Sequence, residues 1–449
     1  MFDIITALAT AYGESGIAIV RLSGDGSVAL TQKLLQGKRK LANYPPRTMQ
    51  LFTLHDSGNA FDEALVVRFE KGSSYTAEES VEIQCHGGML PAHKCIAKLC
   101  EFGARLAEPG EFTKRAFLNG RLDLSQAESV LGIIKAKSDE ALAASERTLQ
   151  GKFTKEAAKF FKLLTQLAAQ LEVDIDFPED DTGLFSEAEF EQKITNAMDI
   201  GSSIVSRSKA GLLLREGIRV AIVGKPNVGK SSLLNALLQE ERAIVTEIAG
   251  TTRDKIEEQF IHKGITVRIT DTAGIRNTQD KIEAIGIQTA LKAIDDADLV
   301  LWLLDANAKF TEDDRRIFKQ LKDKKHLTIL NKTDLPMIIN EQDIGAAEII
   351  KISAVTAQGI DALKDKIISS VSDDIVISGS FSVSARQMQC LTLALGNLEN
   401  ALCAIKSSLG DDIVATCVSE ARNQIATLLG LDPTEKLLDT VFSEFCVGK

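Results

Sequence analysis

Apolar positions along this chain follow different periods in different stretches. Over residues 15–22, 48–55, 64–70 and 80–86 they form short β-branched or alternating runs, divided by turn residues such as Pro45-Pro46 and Gly87-Gly88, and this alternation predicts strands. A helix is expected over 89–101, which completes a small α+β unit.

From Ser125 the period changes. Ser125-Gln-Ala-Glu128 has the spacing of a capping box and is expected to open a helical run, almost free of Gly and Pro, that continues through Leu171. FPEDD at 177–181 breaks it, and a second box, Ser186-Glu-Ala-Glu189, opens a helix towards Arg215. Between 218 and 355 the strands IRVAIVG, TVRITD, LVLWLLDA, HLTILN and EIIKIS alternate with helical segments, the signature of a mostly parallel α/β sheet. Helical periodicity resumes after 382. The simplest arrangement is multidomain, α/β with α+β. An N-terminal α+β domain, 1–121, precedes a helical domain in two halves, 122–215 and 373–449, with an α/β domain, 216–372, inserted between them.

The 449 residues, 44% hydrophobic and 26% charged, have the composition of an ordinary globular protein of several domains. The longest apolar stretch, Leu299 to Leu304, is far shorter than the ~20 residues a membrane span requires. The first residues carry Asp3 and no Lys or Arg, so a basic leader is missing and a cytoplasmic location without membrane attachment is expected. Seven cysteines, Cys85, Cys95, Cys100, Cys390, Cys403, Cys417 and Cys446, show no C-x-x-C spacing and read as free thiols. The net charge of −11 is uneven: +1 over 1–121, −2 over 216–372 and −10 over the remainder. Such a chain is no general polyanion sink, so a nucleic acid must be held by a local patch or by a partner.

The chemistry is written most clearly in the inserted domain. Gly224-Lys-Pro-Asn-Val-Gly229-Lys230-Ser231 matches G-x-x-x-x-G-K-[ST] between a strand and a helix, the P-loop context. Its backbone N–H groups can turn around a phosphate, Lys230 faces the β/γ-oxygens, and Ser231 can ligate Mg²⁺. Asp271-Thr272-Ala273-Gly274 ends the strand TVRIT, where a carboxylate can hold the water shell of the metal and a glycine N–H can sense the γ-phosphate. Asn331-Lys332-Thr333-Asp334 follows the strand HLTIL, and its Asp334 is placed to accept from N1–H and the 2-amino group of guanine. Adenine lacks both donors, so the motif selects GTP. Ser353-Ala354 would close the base pocket through a backbone N–H. Four motifs in this order identify a P-loop GTPase domain, and the expected nucleotide contacts are Asn227, Val228, Gly229, Lys230, Ser231 and Ser232 with the later motifs.

Ile275 stands where Ras-like enzymes carry the water-orienting glutamine, so either the domain is a slow, binding-only switch or the water is positioned from elsewhere in 275–289, where Glu283 is the most attractive carboxylate. Thr246, Glu247, Ile248, Ala249, Gly250, Thr251 and Thr252 form the loop where a switch belongs, with Thr252 as a Mg²⁺ ligand. Arg253 is an arginine finger or, more ordinarily, a salt-bridge partner.

TEIAGTTRD, the apolar residue after DTAG, GIAIVRLSG, YTAEESVEIQCHGG, EPGEFTKRAFLNGRLDLSQAE and the terminal Phe445-Cys446-Val447-Gly448-Lys449 together resemble the MnmE (TrmE) family of tRNA uridine-modification GTPases along the whole chain. The resemblance implies a GTP hydrolase working with the flavoprotein MnmG (GidA), as a homodimer within a heterotetramer. Its reaction would install an aminomethyl or carboxymethylaminomethyl group at C5 of a tRNA wobble uridine, with carbon from a 5-formyl or 5,10-methylene tetrahydrofolate carried by the N-terminal domain. Matched residue by residue, the folate positions are Arg21, Glu82, Arg121 and Lys449; Arg121 stands where the family carries lysine and keeps the charge. The resemblance also implies K⁺-activated hydrolysis, with Asn227, Thr246, Ile248 and Thr251 as K⁺ ligands, Glu283 orienting water, and Asp271 and Cys446 in the catalytic set, where Cys446 either meets the folate or the tRNA or is a small buried residue capping a helix.

Other features have plainer readings. His86 next to Cys85 cannot share a site with it, since adjacent strand residues face opposite ways. Asp174, Asp176, Glu179, Asp180 and Asp181 read as a solvated connection. Lys322, Lys324 and Lys325 read as a helix end complementing its dipole, and KEAAKFFKLL as one amphipathic helix. A ribosome-assembly GTPase of the Era or Der type is the alternative function, although such proteins would lack the N-terminal block and the FCVGK end.

Overall fold

The computed structural model describes residues 3–176, 187–238, 258–271, 294–321, 324–346, 348–371 and 378–449. The N-terminal unit is a six-stranded sheet of β1 (Ile5–Leu8), β2 (Ile17–Ser23), β3 (Gln50–Asp56), β4 (Asn59–Phe69), β5 (Ser80–His86) and β6 (Arg105–Leu106), in the order β3-β4-β5-β2-β1-β6. The helices of this unit are α1 (Ser27–Gln32), α2 (Met89–Glu101) and α3 (Glu111–Leu118). β1 and β6 were not expected. ITAL at 5–8 lacks polar alternation because all four residues are buried, and β6 is two residues long, pairing parallel to β1. α2 presents Ala92, Cys95 and Leu99 to the sheet, whose own contribution includes Val20, Leu22, Val66, Val81 and Ile83.

The expected run from Ser125 through Leu171 is three helices: α4 (Leu124–Lys135), α5 (Asp139–Leu149) and α6 (Lys152–Asp176). The cap lies two residues earlier than the Ser-x-x-Glu pattern suggests. Asp123 accepts from the Gln126 N–H at 2.9 Å, and Gln126 reaches back to the Asp123 N–H at 2.9 Å. Ser125 is buried inside α4, and Glu128 serves tertiary structure instead, bound by Arg386 and Ser384. α7 (Glu187–Glu216) follows; Ser186 and the FPEDD segment fall outside the described residues.

The inserted sheet contains β7 (Ile218–Val223), β8 (Glu258–His262), β9 (Ile265–Asp271), β10 (Leu299–Asp305), β11 (His326–Asn331) and β12 (Ile349–Lys351), ordered β12-β11-β10-β7-β9-β8. All pairings are parallel except β8 with β9. α8 (Lys230–Leu238), α9 (Glu312–Gln320), α10 (Glu341–Ile344) and α11 (Ile360–Val371) accompany it. Lys324 lies beyond α9 and pairs with Asp295 at 3.2 Å, an ion pair in place of the expected helix-dipole contact. Lys322 falls outside the described residues.

α12 (Ala385–Lys406), α13 (Asp411–Leu429) and α14 (Glu435–Phe442) return to the helical layer. α6, α7, α12 and α13 share one apolar core, to which the KEAAKFFKLL segment gives Ala157, Phe160 and Leu164. The first half of the helical layer also touches the inserted sheet, because Ala141 and Ala144 of α5 join its core and Ser138 Oγ donates to the Gly264 carbonyl at 2.5 Å. α7 passes into β7 through Gly217 alone. This residue has φ +74°, and a Cβ there would sit 2.4 Å from the Thr266 carbonyl oxygen of β9, so only glycine fits.

Candidate functional site

Parallel strands deliver the nucleotide motifs to one sheet edge, as expected where strand order reverses direction beside β7. The P-loop follows β7 directly. Gly224 (φ +157°) has room for no side chain, because a Cβ would lie 2.4 Å from the Leu303 carbonyl oxygen of β10. Gly229 (φ +99°) is equally constrained, with Asn331 Nδ2 at 2.3 Å from its would-be Cβ. Lys230 Nζ donates to the carbonyls of Gly224 (2.8 Å) and Lys225 (2.9 Å), which keeps the ammonium within the loop.

Asn331 joins the base motif to the phosphate loop. Its side chain is 2% exposed, donates to the Val228 carbonyl (2.9 Å) and accepts from the Ala354 N–H (3.0 Å). Lys332 (φ +67°) donates to the Asn227 carbonyl (2.9 Å) and to Asp305 (2.6 Å). Ser353 Oγ donates to Asp334 Oδ1 at 2.6 Å, fixing that carboxylate. Asn227, Val228, Gly229, Lys230, Asn331, Lys332, Asp334, Ser353 and Ala354 are thus one connected cluster, with Ser231 and Ser232 exposed at the start of α8. Asp271 ends β9 opposite Ile222 of β7. Thr246, Glu247, Ile248, Ala249, Gly250, Thr251, Thr252, Arg253, Thr272, Ala273, Gly274 and Glu283 lie outside the described residues.

A second centre lies in the N-terminal unit. A cavity of about 340 Å³ is lined by Arg21, Arg47, Tyr75, Thr76, Glu82 and Arg121, among others. Arg21 and Glu82 are register partners on β2 and β5, and the guanidinium places two bonds on Glu82 Oε1, at 3.0 and 2.8 Å. Three cations surround the Tyr75 ring: Arg21 at 5.3 Å, Arg121 at 4.9 Å and Lys449 Nζ at 6.0 Å from its centroid. Lys449 arrives because the C-terminal segment docks on the first strand. Gly448 (φ +96°) would place a Cβ 2.2 Å from the Leu8 carbonyl oxygen, while its own carbonyl accepts from Arg21 at 3.4 Å. Burial, then the nearby Arg21 charge, pull the Lys449 ammonium below its ordinary value, whereas Glu82 acts in the opposite sense. Burial raises the Tyr75 phenol.

Arg21, Glu82, Arg121 and Lys449, far apart in sequence, therefore meet. Tyr75, Arg47 and Thr76 line the same cavity and were not expected there; the signal was an aromatic set in the polar loop GSSYTAEES. Cys446 is exposed, and its carbonyl accepts from the Lys449 N–H at 3.3 Å. Cys85 is buried with its thiol raised to about 11, chiefly by burial, whereas His86 is exposed and bonds Asp62 at 2.5 Å; the two share no site.

Under the cavity, Thr76 and Ser23 hydroxyls lie 2.6 Å apart, Ser23 donates to Glu78 (2.7 Å), and Arg115 reaches Glu78, Asp3 and Glu111. The Arg105 hydrogen bond, aided by Arg115, holds the Asp3 carboxyl down at about 2. Depression below the ordinary 3.8 means that these pairs contribute stability in full above about pH 4 and lose it as pH falls towards 2. Amide exchange at Ile5–Ala7 should therefore accelerate across that window in the wild type, beyond the intrinsic pH effect. In Asp3→Asn the added step should vanish, and an equal step in both would refute the assignment.

Among the described residues no helix is long and apolar enough to cross a membrane. Residues 4–121 match the family description "GTP-binding protein TrmE N-terminus", and residues 124–446 match "MnmE helical domain". Relatives named "tRNA modification GTPase MnmE" from Aquifex aeolicus, Clostridioides difficile and Thermotoga maritima are each 40% identical, covering 100% of this chain and 100%, 99% and 100% of their own. With a GTP-selecting P-loop domain set in a helical domain behind a cation-lined N-terminal cavity, and full-length relatives at this identity, the chain belongs to the MnmE (TrmE) family of tRNA modification GTPases.

Proposed function

We propose that this chain hydrolyses GTP to drive attachment of an aminomethyl or carboxymethylaminomethyl group to C5 of a tRNA wobble uridine, together with the flavoprotein MnmG. The observation that carries the reading is the convergence of Arg21, Arg121 and Lys449 on the Tyr75 ring, beside a cavity of about 340 Å³ that Arg21, Tyr75, Glu82 and Arg121 line. Those residues fit a reduced folate. An aromatic face suits a pterin, Glu82 can accept from its N–H donors, and three cations suit a glutamate tail. When bound, the folate would supply the one-carbon unit. Arg21 and Glu82 hold each other in position, and Lys449, whose ammonium is already weakened by burial, gains most from an incoming carboxylate.

At the GTP end Ser231 and Thr252 would hold Mg²⁺, which neutralises charge developing on the β- and γ-oxygens. Asn227, Thr246, Ile248 and Thr251 would hold K⁺, which supplies the positive charge an arginine finger otherwise brings, with Glu283 orienting water and two GTPase domains meeting in a homodimer. The main chain of Asn227 is held by Lys332 while the residue stays exposed, which suits a ligand reaching outward. Asp271 would hold the water shell of Mg²⁺, and Cys446 would act at the folate or the tRNA. The Era-type alternative accounts for the nucleotide end alone and leaves the N-terminal cavity without a task.

The test is nucleoside mass spectrometry of bulk tRNA from cells depleted of this protein. C5-modified wobble uridines should disappear and return with wild type, but return at under about a tenth of that level with Arg21→Ala/Lys449→Ala, whose GTP turnover stays normal. Unchanged tRNA on depletion would sink the modification reading. Full restoration by the double variant would sink the role of the cavity.

A further inference from the structure

A further cleft among the described residues has no part in either centre. A cleft of about 760 Å³ opens where the end of α7, the edge of β7 and β9, and the C-terminal segment meet. Lys135, Lys209, Arg215, Arg219 and Arg268 line it. Three acids line it too, Glu216, Asp298 and Glu444, but Asp298 is already bound by Arg219 at 2.9 Å. Four cations then face two carboxylates, and among the described residues none of the four makes an ion pair.

Arg215 and Arg268 are half-buried, so each guanidinium is partly withdrawn from water while part of it still faces the cleft. Arg219 and Arg268 are also direct register partners on the parallel strands β7 and β9, so two like charges stand side by side. An anion placed in the cleft relieves this juxtaposition. The guanidinium fork favours a phosphate, and the volume far exceeds what a single phosphate needs.

We propose that this cleft binds the phosphodiester backbone of RNA; the inference rests on the reading that tRNA is the substrate. In a chain of net charge −11 such a local concentration of cations is what an RNA contact requires. The remaining walls are aliphatic, Leu212, Leu213 and Val371, with no aromatic ring for a base to stack on, so the contact is to backbone and shape and is indifferent to sequence. Glu444 lines the cleft, and the same C-terminal segment continues to Lys449 at the Tyr75 cavity, so RNA held here lies along the segment that leads to the proposed one-carbon site.

The experiment measures affinity of the full chain for bulk tRNA, by fluorescence anisotropy over about 50 to 200 mM salt. Two variants are used, Arg215→Gln/Arg268→Gln and Lys135→Glu/Lys209→Glu; the second changes exposed side chains only and remains decisive if the first does not fold. Each should weaken tRNA binding about tenfold or more and flatten the log–log salt dependence by roughly 1.5 to 2, with GTP turnover as in wild type. An unrelated duplex RNA should lose affinity in parallel. Wild-type affinity and slope in the Lys variant would overturn the cleft assignment while the function, tested by restored wobble modification, stands. Binding of inorganic phosphate with unchanged tRNA affinity would make this a small-anion site and overturn it as well. If wild type neither binds tRNA nor restores modification, the functional reading itself fails.

Discussion

Asp334→Asn should lower GTP affinity by roughly a hundredfold or more and transfer preference to xanthosine triphosphate. The carboxylate is the only group in the Asn331-Lys332-Thr333-Asp334 turn able to accept from both guanine N1–H and the 2-amino group, and Ser353 Oγ, at 2.6 Å from Oδ1, holds it for that task. Asparagine keeps one acceptor oxygen but turns its N–H₂ against the other guanine donor; losing one bond to a charged acceptor, about 1.5–3 kcal/mol, and stranding a buried donor, about 1–3 kcal/mol, together amount to about 3 kcal/mol or more, which is a hundredfold in Kd. Xanthine carries a carbonyl at C2, and the amide of asparagine can donate to it. Fold is not at stake, because Asn331, not Asp334, ties the turn to the P-loop. Calorimetric titration with both nucleotides decides the matter; unchanged GTP affinity would mean that the base is read by other groups.

Arg115→Met should destabilise the N-terminal unit by about 3–5 kcal/mol, the usual result of stripping one partner from a buried ion cluster. The Arg115 side chain is 3% exposed and its partner Glu78 8%. Its guanidinium serves the Asp3 carbonyl (2.8 Å), Asp3 Oδ1 (2.9 Å), Glu78 (3.2 Å) and Glu111 (2.9 Å). Without it the Glu78 carboxylate is left buried, supported by the Ser23 hydroxyl. Adding Glu78→Gln should recover a substantial part of the loss, since the stranded charge goes with it. Denaturant melts combined with amide exchange in β1 and β2 separate this unit from the others. A single variant as stable as wild type would show that the cluster contributes nothing net.

The sequence was most legible where chemistry demands a fixed spacing. Gly224 to Ser231 and Asn331 to Asp334 could be read because phosphate and guanine impose both residue types and intervals, and the structure sets them into one cluster through Asn331. Lys449 became a site residue through resemblance alone. Nothing local in a terminal lysine says that Gly448 will dock on Leu8 and carry it to Tyr75. Tyr75 itself went unread because its importance arises from three cations that approach from distant parts of the chain. The misplaced cap at Ser125 has a similar origin: Ser-x-x-Glu fits the capping pattern, but Glu128 is claimed by Arg386 from the other half of the helical domain, so tertiary pairing decided the boundary. β1 escaped notice because a strand buried on both faces shows no alternation.

The single-residue passage from α7 to β7 has a mechanical meaning. α7 is 30 residues, about 45 Å of rod, with its C-terminal end clamped by Gly217 against β9 and its body packed among α6, α12 and α13. β7 runs from that clamp straight to the P-loop, leaving no slack loop in which a displacement could dissipate. Helix and strand are thus continuous through one residue, so a rigid-body shift of β7 would pass through Gly217 into α7 and its packed neighbours instead of being absorbed by a loop.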